Sequence, residues 1–390
     1  MRVLVAFDKF KDSLDAPAAG AAAAAVLRRR HPDWQLDLCP LADGGEGFAA
    51  ILTAAAGGAL RTVAVTGPRG APVDAAYGLV PWGRVPATAR RRLNLPATTP
   101  DHAAVAVVEM AAASGLALLA PGQRDPWQTT TLGTGQLLAA AASAGAAALL
   151  LGVGGSATHD LGLGALSALG LDFLPEHGAA LRPPIPARWD QIARLAGQAS
   201  PSLPPIRLAC DVANPLLGPR GAAAVYGPQK GLRPEDLARL DHASARLGLL
   251  LCAHCRQPDT LMDLPGAGAA GGIAFGLMAA ARATLLPGFD LVADWLDLEA
   301  RLAAADLVIT GEGRFDDSSL SGKGPGAVAA RALALGKPVQ VFAGQVTVTD
   351  PRPGLTLHAI TPAGQPLAEA LRRAGENLGA AVARAVDHGL

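Results

Sequence analysis

The sequence predicts an α/β fold, two three-layer α/β/α domains with mostly parallel sheets, on three observations. Short β-branched or Leu-rich runs alternate with Ala-rich helical stretches almost throughout, the pattern of strands covered by helices. At 390 residues the chain exceeds one ordinary core and suits two domains. With 50% hydrophobic and 17% charged residues it can bury large cores, which excludes a disordered or charge-driven chain.

The first element is a strand over 2–7. Only one basic residue and a short apolar run precede Asp8, too little for a signal peptide, so a cytoplasmic location is expected. An Ala-rich run over 16–30 reads as the first helix, followed by a strand at 36–39, a helix at 47–56 and a strand at 62–66. Strands at 104–110 and 147–153 flank a helix at 134–144. The stretch 137–153 is the most lipid-like, yet Ser143 and Gly145 break it and its alanines are too weakly apolar for a span of about 20 residues. A helix at 160–169, a strand at 206–210 and helices at 234–254, 272–284 and 291–304 come next, then a strand at 306–310, a helix at 326–335 and a strand at 339–343. Two Pro-rich stretches, 81–100 and 183–205, lack periodicity and read as loops; Arg90-Arg91-Arg92 in the first is a solvated face rather than a nucleic-acid patch. The last strand resembles the first in being short, apolar and closed at once by a polar or Gly-containing turn. That pattern suggests a discontinuous domain of 1–65 plus 288–390, with 66–287 inserted as a second α/β domain.

Lys plus Arg and Asp plus Glu are 33 each, so no excess positive field collects a polyanion, and neither nucleic acid nor a membrane surface is an expected partner. Four Cys in a chain this long make no disulfide scaffold and suit a reducing compartment. Only five of the 33 basic residues are Lys: Lys9, Lys11, Lys230, Lys323 and Lys337. A compact ammonium approaches a phosphate differently from a guanidinium fork, so retained lysines are informative, and four of the five fall in the motifs that follow.

In open parallel sheets ligands collect beyond the carboxyl ends of strands. After the first strand stands Asp8-Lys9-Phe10-Lys11-Asp12-Ser13; after the second, Ala42-Asp43-Gly44-Gly45-Glu46-Gly47. Glu109-Met110 leads through Ser114-Gly115 to Thr129-Thr130-Thr131 and Gly133-Thr134-Gly135, hydroxyls and free N–H groups at a helix start that suit an anion. Gly154-Gly155-Ser156-Ala157-Thr158-His159-Asp160 is the most phosphate-like loop, although a tight turn with helix caps would read the same way. Asp211, before Asn214-Pro215, is either a general base or metal carboxylate or the head of an Asx turn, and Gly227-Pro228-Gln229-Lys230-Gly231 lies beyond it. Gly311-Glu312-Gly313-Arg314-Phe315-Asp316, with Lys323 after it, suits a magnesium–polyphosphate group; surface ion pairing is the plain alternative.

Gly266-Ala267-Gly268-Ala269-Ala270-Gly271 fits G-x-G-x-x-G but follows a poor strand, and supports only an alternative reading as a nicotinamide-dependent oxidoreductase of a small hydroxy acid. Cys252-x-x-Cys255 lacks a second ligand pair for zinc. No P-loop, zincin or nucleophile-elbow motif is present. A non-catalytic sensor of small acids is a third class. The abundance of Gly, Ser/Thr, carboxylate and Lys at strand ends, without a good nucleophile, is the mixture that phosphoryl transfer asks for.

In their order along residues 1 to about 345, these runs, together with Asn214-Pro215-Leu216 and Gly271-Gly272, resemble the glycerate kinase family, type 1, of bacterial glyoxylate and sugar-acid pathways. The resemblance implies phosphorylation of D-glycerate by ATP with Mg2+, giving 2-phosphoglycerate or 3-phosphoglycerate. It also implies a site in the cleft between two domains, the discontinuous one Rossmann-like. On that reading Asp211 or Asp43 accepts the hydroxyl proton, Lys9, Lys11 and Lys230 neutralise anionic charge, and Glu312 and Asp316 hold the metal. Ser114, Thr130, Thr131, Thr134, Gly154, Gly155, Ser156, Thr158, Asn214, Gln229, Gly268, Arg314 and Lys323 join Lys230 in binding substrate and nucleotide. The sequence departs from the family's usual pattern at His159, where Asn is usual, at Asp317-Ser318-Ser319, where Gln-Thr is usual, and in a longer segment 82–102, expected to decorate the surface.

Overall fold

The computed structural model describes residues 1–317, 319–321, 324–348 and 353–389, which pack as two compact units, 1–43 with 292–390 and 44–291. In chain order the strands are β1 (Arg2–Phe7), β2 (Gln35–Leu38), β3 (Ala59–Thr66), β4 (Pro72–Pro81), β5 (Ala104–Glu109), β6 (Ala146–Gly152), β7 (Leu171–Leu174), β8 (Arg194–Gly197), β9 (Ile206–Ala209), β10 (Thr284–Leu286), β11 (Leu307–Phe315), β12 (Val339–Val346) and β13 (Leu355–Ala359).

The discontinuous unit holds a five-stranded sheet, order β13-β12-β11-β1-β2, parallel throughout. β1 lies inside it, and five of its six residues are buried, as expected of a strand covered on both faces. Val3, Val5 and Phe7 pack with Ala19, Ala23 and Leu27 of the helix Ala16–Arg30 and with Leu378, Ala381 and Val382 of the helix Ala374–Asp387. Leu4 and Ala6 point to the opposite face by strand alternation, and the helices Leu298–Ala304 and Gly324–Ala334 contact β1. Asp15 caps the first helix through the Ala18 N–H at 2.7 Å, and Arg28, Arg29 and Arg30 complement its carboxyl end.

The inserted unit holds a six-stranded sheet, order β10-β9-β6-β5-β4-β3, in which β3, β4 and β5 are joined antiparallel and the rest are parallel. A separate antiparallel pair joins β7 and β8. Residues 44–65, read from the sequence as part of the discontinuous domain, belong here instead, because β3 pairs along its length with β4. The segment 82–102 is more than decoration: Trp82, Val85, Ala89 and Leu93 are buried around a short helix, Ala87–Leu93, and Arg207 Nε donates to Leu93 O at 2.8 Å. Among the described residues no helix is long and apolar enough to cross a membrane.

Candidate active site

In the discontinuous unit charge gathers where β1 ends, beside the middle of β11. Their parallel register pairs Phe7 with Gly311, so Asp8 leaves β1 beside Glu312, which stays within β11 and pairs with Ala343 of β12. The Asp8 N–H donates to Gly311 O at 3.0 Å and Thr310 Oγ1 donates to Ala6 O at 2.5 Å, which ties the two strands together. Asp8 is buried, and its Oδ1 accepts from the Lys9 N–H at 2.6 Å. Burial first, then the neighbouring Asp43 and Glu312 carboxylates, push its pKa up to about 7 against the opposing pull of Lys9. Glu312 is likewise raised to about 7, chiefly by burial and further by Asp316 and Asp43, while a hydrogen bond to Ser319 works the other way.

Lys9 Nζ stands 3.8 Å from Asp43, whose side chain is half exposed, and Arg314 Nε holds Asp316 at 3.0 Å. Lys11 is exposed. Glu312 Oε1 is buried with no hydrogen-bond partner among the described residues. Asp8 stands in the charged run after the first strand, and it is burial beside β11 that distinguishes it from its neighbours there. Lys323 lies outside the described residues.

No group of three or more His, Cys, Asp or Glu among the described residues is gathered closely enough to hold a metal by itself. Mg2+ normally keeps waters and takes one or two carboxylates plus substrate phosphates. Two raised carboxylates and the orphaned Glu312 oxygen fit that mode, and they do not fit a resident, all-protein metal cage. Asp316, tied to Arg314, is the weaker ligand of the two expected from the sequence.

In the inserted unit the loop after β6 lies against the 44–46 loop. The Gly154 N–H donates to Gly44 O at 2.9 Å, and a Cβ at Gly154 would stand 2.7 Å from Gly45 Cα. Gly155 adopts φ +72°, so side chains are excluded at both positions. Ser156 bridges to Gly115, and Ala157 N–H donates to Ser114 O at 2.9 Å. Beneath the loop Lys230 is 1% exposed, and its Nζ donates to Ser156 Oγ at 2.8 Å and Thr158 O at 2.7 Å. Burial lowers its pKa to about 7, with Asp160 opposing. Thr158 Oγ1 is buried without a partner among the described residues.

Four of the expected ligand-binding hydroxyls are inside the protein. Asp160, wholly buried, accepts from Thr131 N, Thr131 Oγ1, Gly162 N and Gly164 N at 2.7, 2.9, 3.1 and 3.2 Å. Thr130 Oγ1 accepts from the Leu132 N–H at 3.1 Å, and Thr134 Oγ1 donates to Ser114 Oγ at 2.8 Å. Thr130, Thr131, Thr134 and Ser114 are thus buried around the start of the helix Leu132–Ser143, where their hydroxyls make hydrogen bonds within the fold. His159 is also buried. Its Nε2 lies 3.1 Å from Ser244 Oγ, which spends its one proton on Leu240 O, so the ring carries its proton on Nε2 and leaves Nδ1 without a partner among the described residues. Burial and then Lys230 lower its pKa to about 3, so the ring is neutral.

Asp211 Oδ2 accepts from the Phe289 N–H at 2.9 Å, a contact with the start of the helix Gly288–Trp295 78 positions along the chain, and neither the free base nor the Asx turn into Asn214-Pro215 that the sequence offered. Asn214 is engaged at both ends, donating to Arg220 O at 2.7 Å and accepting from Tyr226 OH at 2.6 Å, and Gln229 is exposed. The G-x-G-x-x-G run follows a 3-10 turn, Asp259–Asp263, and not a strand. A Cβ at Gly268 would stand 2.2 Å from Pro215 O and one at Gly271 2.1 Å from Thr158 O, so close backbone packing accounts for these glycines without a dinucleotide.

A model of the glycerate kinase family matches residues 3–388. A glycerate kinase of Bacillus subtilis (strain 168) is 39% identical over 383 residues, covering 96% of this chain and 94% of that protein. A glycerate 2-kinase of Escherichia coli (strain K12) is 37% identical over 353 residues, 89% of this chain and 86% of that protein. A solved structure from Salmonella typhimurium LT2, described as a candidate glycerate kinase 2, superposes with a TM-score of 0.74 at 37% identity over 100% of this chain and 98% of that one.

Proposed function

This chain belongs to the glycerate kinase family, and from that premise we propose that it transfers the γ-phosphoryl group of ATP to the 2-hydroxyl of D-glycerate, releasing ADP and 2-phosphoglycerate. The observation that carries the reading is the pair formed by the buried Asp8, just past β1, and the partly buried Glu312 within β11, two carboxylates poised near neutrality beside Lys9 and Asp43. Phosphoryl transfer needs positioning and charge stabilisation more than covalent chemistry, and the unit supplies carboxylates and ammonium groups without a nucleophile. The name of the E. coli relative supports the 2-position.

Glu312 and Asp8 would hold Mg2+, with Asp316 at the periphery; the ion would neutralise charge on the β- and γ-phosphate oxygens. Lys9 and Lys11 add positive charge at the same strand end. Asp43, half exposed and therefore reachable, accepts the glycerate hydroxyl proton in preference to Asp211, which caps a helix. In the inserted unit, Gly154, Gly155 and Ser156 receive an oxyanion of the substrates.

An assay of ADP release with Mg-ATP and D-glycerate, its product resolved by phosphorus NMR, tests the function. Turnover to the 2-phosphate is expected. Product at the 3-position would move the acceptor, and no ADP above the glycerate-free control would overturn the reading. Asp43→Asn should lose about 10²–10⁴-fold in kcat while Asp211→Asn stays within about tenfold; the reverse order would reassign the base.

A further inference from the structure

We propose that Lys230 is a positioning residue that acts through the Ser156 hydroxyl, making the 154–156 loop an oxyanion site that takes up its ligand together with a proton. The inference rests on the kinase reading only in taking the ligand to be a substrate oxyanion, a carboxylate or a phosphate. Lys230 is 1% exposed, whereas Ser156, also buried, keeps 8% of its surface and lies between the ammonium and the face of the loop. Lys230 Nζ donates to Ser156 Oγ at 2.8 Å and to Thr158 O at 2.7 Å. Ser156 has one proton of its own, and that proton has no acceptor among the described residues.

While Lys230 is an ammonium, Ser156 accepts from it and can donate outward. Once Lys230 is a neutral amine, it becomes the acceptor, turns the hydroxyl inward, and leaves the loop only lone pairs to offer an anion. Two titratable groups act on Lys230 across this buried space, the fully hydrogen-bonded Asp160 and the neutral His159. Arg124, whose backbone lies against Gly231, and Tyr226 belong to the other elements packed here, and the Glu46 carboxylate faces the loop itself, its Oε1 2.6 Å from where a Cβ at Gly155 would stand. Burial sets the pKa of Lys230 at about 7, so an arriving negative charge draws a proton onto it.

Calorimetric titration of the full chain, in buffers of differing ionisation enthalpy, tests this. The ligands are D-glycerate and, as a phosphate stand-in, sulfate, neither of which titrates between about pH 6 and about 9. One of the two should bind with uptake of up to about one proton at about pH 8, its affinity falling toward tenfold per pH unit above about 7. The ligand that shows this linkage identifies the oxyanion. Lys230→Met, an apolar replacement of similar length that buried sites often tolerate, should abolish proton uptake and the pH slope and weaken that ligand about tenfold or more. Ser156→Ala, which keeps the ammonium but removes the relay, should weaken the same ligand and shrink the uptake. Absence of binding by both anions, affinities flat across the pH range, or Ser156→Ala with unchanged uptake would each overturn the proposal. Proton-linked binding without ADP release would instead leave the relay standing and refute the kinase reading.

Discussion

Replacing Asp8 by Asn should stabilise the protein at alkaline pH while impairing its use of Mg-ATP. The Asp8 carboxyl is raised from 3.8 to about 7, so ionising it in the folded state is unfavourable. Three pH units at about 1.36 kcal/mol each set an upper figure of about 4 kcal/mol. Because the folded pKa is the higher one, the penalty is fully present above about 7 and is shed as pH falls toward 3.8. The Asn side chain keeps an oxygen for the Lys9 N–H, so the one hydrogen bond to Oδ1 survives. We expect a gain of about 2–4 kcal/mol at about pH 8, shrinking to about 1–2 kcal/mol at about pH 5. With a urea dependence of about 1–3 kcal/mol per molar, the unfolding midpoint at the higher pH rises by about 1 M or more. Urea unfolding followed by circular dichroism, with and without Mg-ATP, measures both effects. A midpoint at or below the wild-type value at the higher pH, or the same increment at both, would refute the electrostatic reasoning.

Two further substitutions separate the loops that face ligand from those that hold the fold. Gly154→Ala places a methyl 2.7 Å from Gly45 Cα, and should cost about 1–3 kcal/mol and lower turnover at least tenfold as the loops part; normal kinetics would remove this loop from the site. Asp160→Ala strands four buried donors and should lower stability by about 3–5 kcal/mol in thermal melts; an unchanged melt with a raised KM would return the Thr130–Thr131 hydroxyls to ligand binding.

The parallel strands β1, β6 and β9 were legible because a strand buried on both faces must be apolar along its length, and no other local structure explains runs such as Val3 to Phe7. β4 escaped because Pro72, Asp74 and Gly78 dilute its pattern; its order comes from antiparallel neighbours on both sides. β7 and β8 are four residues each, and one lies inside a Pro-rich stretch, so only their pairing defines them. Within the candidate site, charge after a strand end was readable, as at Lys9 and Asp43, whereas Glu312 lies within β11, which runs on past the 306–310 expected from the sequence to Phe315. Whether a hydroxyl serves a ligand or the fold was not: Thr131 spends its hydroxyl on Asp160, 29 positions away in the chain, and nothing local announces that partner. Asp8 was hidden for the same reason, since its burial is supplied by β11, some three hundred residues later.

That separation has a consequence during synthesis. β1 is complete once Phe7 is made, yet its neighbour β11 begins only at Leu307. At about 5–20 residues per second a ribosome needs about 15–60 s to bridge the interval. The inserted unit can fold within that wait, while an apolar strand with one unsatisfied edge stands idle. The nascent chain, more than the finished enzyme, is therefore where this architecture is vulnerable. Chaperone occupancy should peak on ribosomes whose chains have passed the inserted unit but have not yet released β11.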